Sequence, residues 1–386
     1  MARMVRTAAD APTADDPPFD AFYCFRDSPE RRAAIATPVG SPERYVLFGM
    51  DEAISRGARV RHNLERPAAP GWARLADRGA NWVVRRSGGY GGDFQSVLPS
   101  LRALNAADVV CSTVDTVGLP LVLLRAAHLV RPPLVYVSIG LPERLARVTH
   151  RRTARRYADA LRRVTTFVSY SEHEVSLLRE LVGGAAGPPV VFVPFGVDVG
   201  WFAPAAAVEP DVDVVSIGAD PQRDFALLLR IAERHAERHF RIVAGRDAAR
   251  ALGTPPANVE LEVDIPLREV RDRLARARVV ALQVRANSYS GATTVLLQAL
   301  ATGKPVVVSR TPAIASGYGL VDGANCMLVE PGDEAAFERA LLQLLDDPST
   351  AARLGVEARL TAELELSWER YAAAMADVLA GAVERH

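Results

Sequence analysis

The chain has 386 residues, enough for two domains, and its 49% apolar and 24% charged composition is that of a globular enzyme. Its 46 basic and 46 acidic residues cancel, which excludes a general electrostatic pull on nucleic acid or on an anionic membrane and leaves any phosphate binding to a local site. No apolar run approaches the ~20 residues of a membrane span, and the cysteines Cys24, Cys111 and Cys326 are too scattered for a disulfide framework or a zinc site.

Residues 1–18 carry no apolar core of the kind a signal peptide needs and read as a disordered tail, so the expected location is the cytoplasm. Phe19 to Cys24 reads as a first strand. Ser41, Pro42 and Glu43 then open a helix that ends at Gly57, and a second strand follows over 58–64. Asn81 to Val84 reads as a third strand running into a glycine-rich turn and a helix. Asp108 to Ser112 and Pro133 to Val137 are strands flanking a helix over 118–129, and Arg151 to Arg163 is an arginine-rich amphipathic helix, read as a solvated face with a membrane or polyphosphate surface as the alternative. Thr166 to Ser169 and Val190 to Val193 complete this half.

The pattern restarts beyond the proline-rich joint Pro194 to Pro204. Strands are expected at 212–217, 240–244, 258–261, 279–283 and 305–309, and helices at 225–237, 267–277, 293–302 and 333–345. Alternation of strand and helix, made twice, predicts two doubly wound α/β domains with parallel sheets and a ligand site in the cleft between them. The expected division is 19–204 and 205–365, with 366–386 returning to the first unit.

Three stretches carry chemistry. Ser290 to Pro305 is a loop that turns into a helix near Thr293. The unpaired amides at that helix start, with Gly291 and the hydroxyls of Thr293 and Thr294, make an anion site, and Gln298 lies one turn further along. Ile217 to Phe225 joins a strand to a helix and offers Arg223 as a forked phosphate ligand. Gly88, Gly89, Tyr90, Gly91 and Gly92 form a loop whose backbone is able to approach a ligand; its spacing is not the dinucleotide fingerprint.

In order and spacing these stretches resemble glycosyltransferase family 4, the retaining GT-B enzymes. Val193-Pro-Phe-Gly-Val-Asp198, Gly303-Lys-Pro-Val-Val307 and Pro331-Gly-Asp333 are similar to its motifs. The resemblance implies two Rossmann-like domains facing across a cleft, with the helix from Trp368 crossing back to the first. It implies a nucleotide-diphosphate sugar donor, with no cofactor and no metal, and the neutral composition points to a small-molecule acceptor such as a natural-product scaffold. Nucleic acid and stable membrane insertion are not expected, and the oligomeric state is left open. Arg223 falls near the family's diphosphate ligand. Aligning Gly303-Lys-Pro puts Ser290, beside Ala292, at the donor sugar and Gln298 at the ribose, where the family usually carries glutamates. Ser138 stands where a histidine is frequent. These replacements suggest an unusual donor or, alternatively, a degenerate GT-B protein that binds nucleotide and serves another enzyme. The family is thought to react on one face, with the leaving phosphate as base. Asp93, Asp115 and Ser138 are then candidates for orienting the acceptor. Lys304, the sole lysine, is a poor candidate for a pyridoxal Schiff base.

Overall fold

The computed structural model describes residues 19–385 apart from 67, 206, 207 and 290. The first sheet contains β1 (Asp20–Cys24), β2 (Arg59–His62), β3 (Val109–Ser112), β4 (Leu134–Ser138), β5 (Thr166–Ser169) and β6 (Val190–Phe192), ordered β2-β1-β3-β4-β5-β6. The second contains β7 (Val212–Gly218), β8 (Phe240–Ala244), β9 (Val259–Val263), β10 (Ala277–Leu282), β11 (Val306–Ser309) and β12 (Met327–Val329), ordered β12-β11-β10-β7-β8-β9. Every ladder is parallel. Helices cover both faces, which is why the central strands β3, β4 and β11 are unbroken buried runs rather than alternating ones.

The helices that place the site are α1 (Pro29–Ala36), α2 (Gly71–Arg86), α3 (Asp115–Ala126), α4 (Leu141–Ala146), α5 (Arg151–Leu161), α6 (Glu172–Val182), α7 (Phe225–Arg234), α8 (Leu267–Ala275), α9 (Thr293–Ala301) and α10 (Trp368–Glu384). Several start as their sequence dictates. Ser28, Ser171, Asp224 and Ser367 each accept a backbone N–H of the first turn.

α10 crosses from the second domain onto the first. Its Trp368 indole donates to Glu52 at 2.8 Å, Arg385 donates to the Thr166 hydroxyl at 2.9 Å, and the Tyr371 and Tyr170 phenols are 2.8 Å apart. Phe195 packs among Tyr170, Trp368 and Tyr371, so the chain between the sheets is buried where it crosses. Gly196 allows this: a Cβ there would lie 2.7 Å from the Tyr371 side chain and 2.8 Å from the Ser367 carbonyl.

Two local expectations are corrected. Asn81 to Val84 is not a strand; it belongs to α2, whose inner face uses Ala73, Asp77 and Asn81. The β-branched pair Val83-Val84 suggested a strand, but the 16-residue helical period prevails. The helix expected over 41–57 is a 3-10 turn, Pro42–Leu47, and a short helix, Met50–Ser55, separated by Phe48 and Gly49 in the left-handed region. The Ser41 side chain makes no cap there.

Candidate functional site

The carboxyl ends of the two sheets face each other, and the space between them is a cavity of about 840 Å³. The first domain contributes Ser28, Glu30, Thr37 and Tyr45; the second contributes Gly218, Ala219, Ile265, Leu267, Thr294 and Gln298. A groove of about 780 Å³ adjoins it at Ser28 and Pro29. This groove runs over the ends of β1 and β2 past Asn63, Arg66, Trp72, Arg74 and Asp93. Asn63 holds that rim, accepting from the Phe25 N–H and donating to the Phe25 carbonyl, both at 2.8 Å.

On the second-domain side, α9 points its amino end towards the cleft. Thr294 and Gln298 line the cavity, one helical turn apart. Thr293 does not line it: the residue is buried, and its hydroxyl has no hydrogen-bond partner of good geometry, with the Tyr318 phenol as polar neighbour. Ala292 is the buried residue at the helix start. Ser290 lies outside the described residues. Gly291 is packed under Asp220; a Cβ there would be 2.6 Å from Asp220 Oδ2. The Asp220 carboxylate accepts from the Tyr289 hydroxyl at 3.0 Å and from the Gln222 N–H at 2.7 Å. A negative group therefore stands beside the helix start where sequence reasoning expected a bound phosphate.

Arg223 is turned into the protein. It is 4% exposed, and one guanidinium nitrogen donates to Ser216 Oγ at 2.9 Å and more weakly to the Ala281 carbonyl. Its Nε and other terminal nitrogen are buried without a partner. Burial pulls its pKa down to about 10, only partly offset by the attraction of Asp220. Arg223 borders a side cavity with Arg246 and Arg285 that adjoins the cleft at Ala219, Gly245 and Asp264, so it and α9 flank the same β7–α7 loop.

On the first-domain side, the predicted residues are drawn inward. Ser138 is fully buried and donates to Glu174 Oε1 at 2.6 Å; the same carboxylate accepts from the Gly140 N–H and the Ser169 hydroxyl. Ser138 thus supports the β4–α4 turn instead of facing a substrate. Asp115, 1% exposed at the start of α3, accepts from the Tyr136 phenol at 3.1 Å and the Ile139 N–H at 3.3 Å. Burial and then the nearby Glu174 push its carboxyl up to about 7, against the pull of Arg144. Asp93 caps the turn at Phe94 by accepting from the Ser96 N–H, and its residue lines the groove.

The glycine loop has a packing role as well. Cβ atoms would lie 2.1 Å from the His150 ring at Gly88, 2.7 Å from the Tyr157 hydroxyl at Gly89, 1.9 Å from Asn81 Oδ1 at Gly91 and 2.5 Å from the Thr116 carbonyl at Gly92. These glycines let α2, α3 and α5 pack together on one side, while each stays part-exposed on the other. Tyr90 reaches furthest outward. Its hydroxyl accepts from Arg144 at 3.0 Å, and the Arg144 guanidinium lies 5.4 Å from its ring centre.

Sequence reasoning missed Arg144, whose Nε is 3.9 Å from Asp115 Oδ2 and which thereby joins Tyr90 to the buried carboxylate. It missed Glu143 and Tyr289 too. Glu143 accepts from the Ser288 hydroxyl across the domain junction at 3.0 Å, and Tyr289 abuts Gly140. The signal was available: Leu-Pro-Glu-Arg directly follows a buried strand, the place where α/β domains present side chains. Lys304 stays outside the cleft, donating to the Ala275 and Ala277 carbonyls at 2.6 and 2.9 Å.

With that geometry defined, the second domain matches a known family model, glycosyl transferases group 1, over residues 212–347. Among curated relatives, a stretch of 117 residues is 33% identical to an MMP α-(1→4)-mannosyltransferase of Mycolicibacterium hassiacum, covering 30% of this chain and 28% of that protein. Over 231 residues the chain is 26% identical to a GDP-mannose-dependent phosphatidylinositol monomannoside mannosyltransferase of Corynebacterium glutamicum, covering 53% of this chain and 59% of that one. The chain therefore spans less than two thirds of these relatives' length. Across almost its full length the fold superposes on solved structures. HepE of Anabaena with UDP-glucose gives a TM-score of 0.68 at 15% identity, covering 94% of this chain and 100% of that one. A sucrose-phosphate synthase of Thermosynechococcus elongatus gives 0.71 at 15%, covering 96% and 100%. The chain has the GT-B fold, and its second half carries a glycosyl transferases group 1 domain.

Proposed function

We propose that the protein transfers a sugar from a nucleotide-diphosphate donor to a hydroxyl or amine of an acceptor held in the adjoining groove. The observation that carries this reading is the buried Arg223, with two N–H-bearing nitrogens unsatisfied beside the cleft. An orphaned guanidinium costs stability, and an anionic ligand is the group that would repay it. The nucleotide lies against Ile265 and Leu267, its ribose hydroxyls meet the Gln298 amide, and the diphosphate spans from Thr294 at the start of α9 towards Arg223. Diphosphate entry displaces the Asp220 carboxylate from beside Gly291.

Transfer proceeds with retention. The bond from the anomeric carbon to the diphosphate oxygen breaks, the acceptor oxygen bonds to the same face, and its proton passes to the departing phosphate. The helix amides and Arg223 stabilise the charge that develops there, and no metal is required for that role. Arg144, tied to Tyr90 and Asp115, orients the acceptor at the junction. The groove has the scale of a small-molecule site, so the reacting part of the acceptor is small, such as a natural-product scaffold or a saccharide headgroup.

The test is proton NMR of the purified chain with α-linked nucleotide sugars, without metal and with a panel of acceptors. Donor consumption giving an α-linked product supports the reading. A β-linked product refutes retention. A donor that binds but is never consumed favours the degenerate partner role suggested by Gln298 and Ser290.

A further inference from the structure

α2 leaves an apolar stripe uncovered. Trp72, Leu75, Trp82 and Val83 stand 57, 71, 63 and 59% exposed. At helical spacing these four lie within one face roughly 100° wide, opposite the inner face formed by Ala73, Asp77 and Asn81. Arg74, Arg78 and Arg85 follow one edge of the stripe, and the Arg86 guanidinium sits 5.6 Å from the Trp82 ring centre. The carboxyl end of α2 meets α5, where the Thr153 hydroxyl donates to the Ser87 carbonyl and the Tyr157 phenol to the Tyr90 carbonyl. α5 brings exposed Arg151, Arg152, Arg155 and Arg156 to the same corner. Among the described residues, the ion pairs of this region are Arg144 with Asp115, Arg147 with Glu143 and Arg162 with Asp159, and none of the eight arginines named above joins one. Asp77, the acid of α2, is occupied by Asn81 and the Phe94 N–H. Neutrality of the whole chain thus conceals a local patch with eight unneutralised positive charges beside tryptophan and aliphatic side chains.

We infer that α2 and the exposed side of α5 dock onto an anionic lipid bilayer. The stripe enters the boundary between headgroups and acyl chains, and the arginines meet lipid phosphates. Tryptophan suits that depth because its ring is amphipathic. A protein partner would need an acidic surface around an apolar ridge; a bilayer offers both along the whole helix. Trp72 and Arg74 also line the groove of about 780 Å³, so docking sets the mouth of that groove at the bilayer surface. The inference does not rest on sugar transfer, because binding to vesicles is read without any donor.

The experiment uses the full chain with vesicles of phosphatidylcholine alone and of phosphatidylcholine with phosphatidylglycerol. Sedimentation and tryptophan emission are followed together. Two of the four tryptophans, Trp72 and Trp82, lie on the stripe. The expected result is pelleting and a blue shift with the anionic vesicles only, weakened at about 0.5 M salt. Trp72→Ser with Trp82→Ser removes the blue shift and most of the pelleting. Arg85→Glu with Arg155→Glu lowers pelleting at least about tenfold. All four side chains are exposed, so unchanged circular dichroism melting checks that the fold persists. Absence of pelleting with anionic vesicles overturns the inference. So does equal pelleting of the tryptophan variant, or self-association of the chain that Trp82→Ser abolishes without any vesicle binding.

Discussion

The two sides of the cleft are built by different means. The second-domain side is mostly backbone: a helix start, Gly218, Ala219 and Gly245, with Thr294 and Gln298 added at a fixed helical spacing. The first-domain side is lined by side chains such as Ser28, Glu30, Thr37 and Tyr45, and behind it runs a relay from Tyr90 to Arg144 to Asp115, backed by Glu174. A backbone site follows from local order along the sequence. A side-chain relay depends on which helices meet, and α2, α3, α4 and α5 meet only in the folded molecule.

The sharpest way to probe this contrast is pH. The folded Asp115 carboxyl is raised to about 7 from its ordinary 3.8, so between those values the folded state holds more protons than the unfolded one. Its contribution is therefore most favourable below about 4 and is lost progressively as pH rises through about 7, by up to about 4 kcal/mol. Urea denaturation of wild type at pH 5 and pH 8 should show the part of that loss between pH 5 and about 7, about 3 kcal/mol, and Asp115→Asn should flatten it. An unchanged slope in the variant would remove Asp115 from the relay's energetics.

Arg223→Met tests the backbone side. It replaces a buried guanidinium with an apolar side chain, so the ligand-free protein should hold or gain stability while nucleotide affinity falls about ten- to a hundredfold. Calorimetric titration with nucleoside diphosphates reads the second effect and chemical denaturation the first. Loss of stability with intact affinity would mean that Arg223 is a structural residue.

Gly92→Ala addresses the glycine loop. A Cβ 2.5 Å from the Thr116 carbonyl forces α2 and α3 apart, at about 1–3 kcal/mol. The melting temperature should drop while nucleotide affinity at a temperature where the variant is folded stays within about twofold. Weakened nucleotide binding there would restore the loop to the site. Asp220→Asn gives the smallest effect. Removing the charge beside Gly291 should strengthen diphosphate binding a few-fold, since like charges repel at short range; weakened binding would show that Asp220 serves the ligand.

Sequence reading succeeded where the physics is local. The strands from Val212 to Ser309 are set by short apolar runs. It failed at Asn81 to Val84, where β-branched residues hid a helix, and it gave no sign that Gly88 to Gly92 also let helices pack closely. Ser138 and Asp115 were located at the right strand ends, but their side-chain direction is fixed by Glu174, Tyr136 and Ile139, which are distant in sequence. Arg144 was marked only by its place just after a buried strand.

Titration of the full chain with UDP, GDP, ADP and dTDP, in chelator and without added metal, tests the central claim most directly. The account predicts saturable binding of at least one nucleotide that stabilises the fold by a few kcal/mol at concentrations well above its dissociation constant, and that Arg223→Met weakens. Binding of none of the four, or binding that Arg223→Met leaves untouched, would contradict a diphosphate site between the start of α9 and Arg223.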